Sequence, residues 1–201
     1  MALGFVRPAR PGEAADIARL QLATWRVAYR RLLPPHVLAQ MDEDFLRERW
    51  LEAITDPPTA RHRVLVAVEQ AAQEYLVGFL ASGPADEDQA GDQGGDQDLA
   101  TITELLVEPR WGRRGHGSRL LAAAVDHWRD DGLTDAQMWI FESDVATAKF
   151  LESAGWAESG LRRELDVEDM LVPQVRYHVS LEEISEPDGE ARTVEDGPDR
   201  E

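Results

Sequence analysis

Three glycines within six residues, Gly112, Gly115 and Gly117, stand between an apolar run and an amphipathic stretch. The whole segment reads Glu104-Leu-Leu-Val-Glu-Pro-Arg-Trp-Gly-Arg-Arg-Gly-His-Gly-Ser-Arg-Leu-Leu121. A strand that runs into a turn and then into a helix presents unpaired backbone N–H groups at the helix start. The positive end of the helix dipole lies there too, so the place suits a phosphate. Glycine lets a ligand approach the backbone closely. Arg113 and Arg114 add permanent positive charge. A P-loop would end in Gly-Lys-Ser/Thr, and His116-Gly117-Ser118 has no Lys. A dinucleotide fingerprint would read Gly-x-Gly-x-x-Gly, whereas the spacing here is Gly-x-x-Gly-x-Gly. A strand–turn–helix connection with no ligand is the competing reading of the glycines alone.

The surrounding elements must position this turn. Phe5-Val6-Arg7 reads as a strand ended by Pro8, and Pro11 to Tyr29 as a helix with Ile17, Leu20, Leu22 and Trp25 on its apolar side. A second helical region is expected from His36 to about Ile54, between Pro34-Pro35 and Pro57-Pro58. Arg63–Val68 and Tyr75–Ala81 read as hairpin partners. Ala100–Val107 is a strand and Ser118–Asp131 a helix with Leu120, Leu121, Ala124, Val125 and Trp128 on one face. Gln137–Phe141 is a strand, Ser143–Ala154 a helix stopped by Gly155, and two more strands fall near Ser159–Leu165 and Arg176–Leu181. The stretch 84–98 is acidic and glycine-rich and is expected to be a flexible loop; 182–201 is expected to be a disordered acidic tail. One mixed α/β (α+β) domain over 1–181 follows, with hairpins on one side and strand–helix–strand units on the other.

Composition narrows the function classes. The 201 residues carry 39 acidic and 21 basic side chains, for a formal net charge of −18. That balance argues against a phosphate-backbone partner, so no nucleic acid is expected, and against an anionic membrane surface. No run approaches the roughly 18 apolar residues of a membrane helix, and no signal peptide is visible. With no cysteine, disulfides, thiolate nucleophiles and Cys-based zinc sites drop out, and a cytoplasmic protein is expected. The five histidines show no metal-ligand spacing, so no metal is expected.

Val107-x-Pro109, a short spacer, Arg113-Arg114-Gly115-x-Gly117 and a helix opening Ser-Arg-Leu-Leu resemble the acetyl-CoA motif of the GNAT acetyltransferase superfamily. A second family motif, normally Asn-x-x-Ala-x-x-Phe-Tyr-x-x-x-Gly-Phe, is matched by Asp144-Val-Ala-Thr147-Ala-Lys-Phe150-Leu151-Glu-Ser-Ala-Gly155-Trp156. The resemblance extends from Phe5 to about Leu181. It implies a mixed, mostly antiparallel twisted sheet of about six to seven strands flanked by about four helices. It implies acetyl-CoA as donor, with the pyrophosphate on Gly112, Arg113, Arg114, Gly115, His116, Gly117 and Ser118. The pantetheine arm would lie along Leu105, Leu106 and Val107, with Asp144, Thr147 and Phe150 completing the donor site. His116 could touch a phosphate, although a turn residue is expected to be exposed. Gly112, Asp144 and Thr147 depart from the family's usual residues, and Leu151 stands where a proton-donating Tyr is common. The family's habits include dimerisation, so a homodimer is one expected state.

The activity implied is direct transfer of an acetyl group to a primary amine of a small molecule or a protein. Such a transfer needs a base for the amine proton, a donor to the carbonyl oxygen and close positioning. Glu104 is the candidate base, and the competing reading is a solvent-facing or ion-paired Glu. A backbone N–H near Leu106 or Val107 is the donor the resemblance implies. Trp25 and Tyr29, spaced i, i+4, share a helix face and either line the acceptor pocket or pack in the core. Two alternatives remain: an inactive CoA-binding regulatory module, and an interaction protein that uses its acidic loop and tail.

Overall fold

A computed structural model describes residues 3–70, 73–85, 98–168 and 170–182. Most of the acidic stretch 84–98 and nearly all of the tail 182–201 lie outside the described residues. Chain order is β1 (Leu3–Pro8), a 3-10 turn (Pro11–Glu13), α1 (Ala14–Ala28), α2 (Pro35–Gln40), α3 (Glu43–Thr55), β2 (Arg63–Gln70) and β3 (Glu74–Pro84). There follow β4 (Leu99–Val107), a 3-10 turn (Pro109–Trp111), α4 (His116–Asp130), β5 (Asp135–Phe141), α5 (Val145–Ser153), β6 (Ala157–Val167) and β7 (Met170–Ser180).

The seven strands form one sheet in the order β1-β2-β3-β4-β5-β7-β6. Every neighbouring pair is antiparallel except β4 and β5. One face carries α1 and α3 over Ile17, Leu20, Val66, Phe79 and Leu106. The other carries α4 and α5 over Ala100, Ile102, Leu120, Trp128 and Leu151. Burial of these side chains is the main favourable term in holding the layers together.

The expected single helix from 36 to 54 is in fact two. Met41 is extended, and the Asp42 side chain accepts a hydrogen bond from the Asp44 N–H to start α3 afresh. Asp followed by two acids is itself a helix-start signal, so the break was legible in the sequence. The helix expected from Ser118 begins at His116, and the one expected from Ser143 begins at Val145, capped by Asp144.

Two irregularities shape the middle of the sheet. In the β3–β4 ladder Ala81 faces Glu104 while Ser82 faces Ile102, so Thr103 is an extra residue in β4. Such a bulge reverses the alternation of side chains. Ala100 and Ile102 point to the α4 face, whereas beyond the bulge Leu105 and Val107 do so. Leu106 therefore turns to the α1 face, and Glu104 with it. The second irregularity is a fork. The parallel β4–β5 register ends at Ile102↔Met138. Beyond it β4 stays with β3 as far as Val107↔Gly78, and β5 stays with β7 as far as Phe141↔Gln174.

Candidate functional site

The fork leaves one edge of β4 without a strand partner. Glu108 N–H donates to Val77 C=O at 2.9 Å, across β3. Alternation then directs Leu106 toward β3 as well, and turns the N–H groups of Leu105 and Val107 toward the gap. A cleft of about 400 Å³ opens there. Its walls include Leu105, Val107, Trp111, Arg113, Thr147 and Phe150, and its floor is the turn from Gly112 to Ser118.

The turn is built to open α4 toward this cleft. Arg113 has φ 61° and Gly115, the residue before the helix, φ 77°. Arg119 N–H donates to Gly115 C=O at 3.0 Å as the first helical bond. The N–H groups of His116, Gly117 and Ser118 precede that bond and have no helical acceptor. A Cβ at Gly117 would crowd the Phe150 ring at 3.3 Å, so glycine leaves that side of the turn open. The two arginines separate: Arg113 lines the cleft, whereas Arg114 lies over the Trp111 ring at 4.8 Å and does not line it. Trp111, which the sequence reading left aside, is a cleft wall, and its aromatic type in a glycine turn was the available signal.

His116 corrects an expectation. It is 1% exposed rather than an exposed turn residue. Its Nε2 lies 3.1 Å from the buried Glu69 carboxylate, not aligned as a hydrogen bond, and its Nδ1 faces Arg119 Nη2 at 3.2 Å. Burial and the Arg119 charge hold its pKa below the ordinary imidazole value, against the pull of Glu69. The side chain thus sits between the start of α4 and β2 while His116 still lines the cleft. Gly4 covers it, since a Cβ at Gly4 would approach the imidazole to 2.9 Å.

Asp144 and Thr147 act as a pair. The Asp144 carboxylate accepts from Thr147 N–H at 3.1 Å and from Thr147 Oγ1 at 2.8 Å, which caps α5. Thr147 lines the first cleft, while Asp144 faces a second one. Leu151 is fully buried in the core and faces neither.

The second pocket, of about 270 Å³, lies on the other side of the fork and shares Leu105 and Thr147 with the first. Trp25 and Tyr29 both line it, and their rings meet edge to face at 5.9 Å. Tyr29 meets Phe141 in the same way at 4.9 Å. Leu33, Leu38, Met41, Val167 and Val172 pack together, joining the α1–α2 connection to the β6–β7 hairpin as a roof. His36 Nε2 pairs with Glu168 at 2.6 Å across the same junction. Position in sequence pointed to Trp25 and Tyr29; the roof has no motif to reveal it.

Glu104 sits where this pocket meets a third groove, of about 420 Å³, under α3. It is half-buried, and among the described residues no cation pairs with it. Its Oε1 accepts from Gln21 Nε2 at 3.2 Å, and Gln21 Oε1 accepts in turn from Trp50 Nε1 at 2.8 Å. Burial pushes the carboxyl pKa up to about 8, against smaller lowering pulls from Gln21 and the Trp25 indole. Burial also raises the Tyr29 phenol, helped by the charges of Glu104 and Asp144.

This geometry has relatives. The sequence profile of the Acetyltransferase (GNAT) family matches residues 21–156. The uncharacterized N-acetyltransferase YuaI of Bacillus subtilis (strain 168) is 27% identical over 139 residues, 69% of this chain and 72% of its own. The PaiA N-acetyltransferase of Thermoplasma acidophilum, solved with coenzyme A, superposes with a TM-score of 0.65 at 14% identity, over 89% of this chain and 99% of its own. YncA of Salmonella typhimurium, solved with acetyl-CoA, gives 0.65 at 18% identity, over 93% and 99%. The forked sheet with a glycine turn at its mouth is thus a shared fold, and the chain belongs to the GNAT family of acetyltransferases.

Proposed function

We propose that this protein transfers the acetyl group of acetyl-CoA to a primary amine, with both substrates bound together. The observation that carries the reading is the junction at β4. The first cleft and the second pocket share Leu105 and Thr147, and the Glu104 carboxyl lies at the inner end of the pocket. Relatives of this fold hold coenzyme A or acetyl-CoA, which supports the choice of donor.

The residues of the cleft fit such a donor. N–H groups at the start of α4 and the Arg113 guanidinium suit a pyrophosphate, and Gly117 keeps the approach open. The outward N–H groups of Leu105 and Val107 suit the amide-bearing arm. Bound acetyl-CoA supplies an activated acyl group on a thiol leaving group. The Val107 or Leu105 N–H is placed to donate to the acyl oxygen as charge develops on it.

On the acceptor side, Glu104 takes the proton from the bound ammonium, directly or through water, and the neutral nitrogen becomes the nucleophile. The C–N bond forms, the C–S bond breaks, and the nitrogen gives its second proton to water. The thiolate leaves and takes a proton from water. Leu151 has none to give. Tyr29 is a poor donor, because a phenol held above its ordinary value would have to protonate a thiolate whose pKa is nearer 8.5, the ordinary thiol value. In sum, an ammonium and a thioester yield an amide, a thiol and one proton.

Calorimetric titration of acetyl-CoA, together with thiol release in the presence of amines, tests the reading. Saturable binding with amine-dependent thiol release is expected. A folded sample that neither binds acetyl-CoA nor releases thiol would end it and favour an interaction role.

A further inference from the structure

The roofed second pocket narrows the acceptor, if it is the acceptor site as proposed above. At about 270 Å³ it lies at the small end for ligand sites, which run from roughly 300 to 1,000 Å³. Its roof joins two distant segments through Leu33, Leu38 and Val172, all buried, so a polypeptide has no open groove to follow. The body of the pocket is aromatic and aliphatic, and the edge-to-face Trp25, Tyr29 and Phe141 offer ring faces and edges.

Charge in the pocket has one sign. Among the described residues, the carboxyl groups that line it are Glu104 and Asp144, and no Arg, Lys or His does. Each is held by neutral donors: Gln21 for Glu104, the Thr147 backbone and hydroxyl for Asp144. Among the described residues, no protein cation is paired with either carboxyl group. Arg163 stacks on Trp139 at 4.4 Å and donates to Gln174, and it does not line the pocket. An ammonium entering here meets the Asp144 carboxylate, the Glu104 carboxyl and aromatic rings, all favourable to a cation or to its proton donation. A carboxylate on the same molecule would be desolvated beside like charges with no counterion.

We propose that the acceptor is a small monocationic amine on an apolar or aromatic body, without a carboxylate or phosphate near the nitrogen. Amino acids, peptide termini and protein lysines are excluded by the missing cation and by the roof.

The test is calorimetric titration of three probes into the full chain in the presence of coenzyme A: 2-phenylethylamine, L-phenylalanine and a pentapeptide with a free α-amine. Saturable binding of 2-phenylethylamine is expected, with phenylalanine at least about ten-fold weaker and the peptide unbound. Leu165→Arg, at a pocket position already 41% exposed, should fold normally and narrow that discrimination to about two-fold or less. Equal or tighter binding of phenylalanine or the peptide overturns the proposal and points to the groove on the far side of Glu104, where Arg49 and His62 lie. Absence of saturable 2-phenylethylamine binding overturns it too. Acetylation assays separate the two readings. An amine that binds selectively but is never acetylated sinks acetyl transfer and leaves the pocket assignment standing. Acetylation of all three probes alike sinks the pocket assignment alone.

Discussion

The two clefts that meet at β4 are assembled in opposite ways. The proposed donor cleft draws most of its lining from one stretch of chain, Leu105 to Ser118, with three residues of α5 closing it. The proposed acceptor pocket draws on α1, the α1–α2 connection, α2, the α2–α3 connection, β4, β5, the start of α5 and the β6–β7 hairpin. The first presents backbone groups and a positive turn, and the second aromatic rings and two carboxylates. Backbone groups at a helix start tolerate many side chains, so one such turn can serve a constant ligand. A pocket of side chains from several places can be changed at any of them, which suits a ligand that differs from protein to protein.

Glu104→Gln gives the largest expected contrast between the two sides. It should lower kcat/KM with an amine by about 100-fold or more while leaving the calorimetric Kd for acetyl-CoA within about two-fold. Turnover close to that of the parent at optimal pH would remove the base from the mechanism.

Next comes a division within the donor side. Arg113→Ala should weaken acetyl-CoA binding about ten-fold, because the guanidinium lines the cleft. Arg114→Ala should change it by less than about three-fold, because that side chain is spent on Trp111. Equal effects would mean that charge near the turn matters and position does not.

The pH dependence follows from the raised Glu104 carboxyl. A protonated base cannot accept a proton, so kcat/KM should rise with pH through an apparent pKa of about 8. Gln21→Leu removes the amide that stabilises the carboxylate and should move this limb further up. Stability runs the other way. Between the ordinary value of 4.5 and about 8 the folded chain holds a proton that the unfolded chain has lost. Stability therefore falls across that window and levels off above it. Urea unfolding of Glu104→Gln should show its advantage over the parent growing from pH 5 to pH 8, by an amount on the order of a few kcal/mol. A constant difference would contradict the burial of Glu104.

The smallest expected effect belongs to Tyr29→Phe. The basic limb of the pH–rate profile should stay where it is, with kcat within about three-fold, since water protonates the thiolate. A lost or displaced limb would make Tyr29 the proton donor after all.

Local patterns explain why the glycine turn and its helix start were legible. Glycine spacing, a strand before and an amphipathic helix after are all short-range, and Gly155 ending α5 is the same kind of signal. His116 shows the limit. Nothing near it in sequence announces Glu69 or Gly4, its actual partners, so a buried anchor read as an exposed turn residue. Trp50 and Gln21, which hold Glu104 in place, were invisible for the same reason.

From the sequence alone came the order of strands and helices, the glycine turn with its helix start, and the fact that Glu104 and Leu106 share one face of a strand. These depend on residues close in the chain, whose sterics and spacing act before any tertiary contact forms. Which face Glu104 takes was decided by pairing: the extra residue at Thr103 has no meaning until β3 lies alongside. The β4–β5 fork, the roof over the second pocket and the burial that shifts Glu104 were likewise decided by tertiary structure. Each joins segments far apart in the chain, and desolvation exists only once both sides have closed.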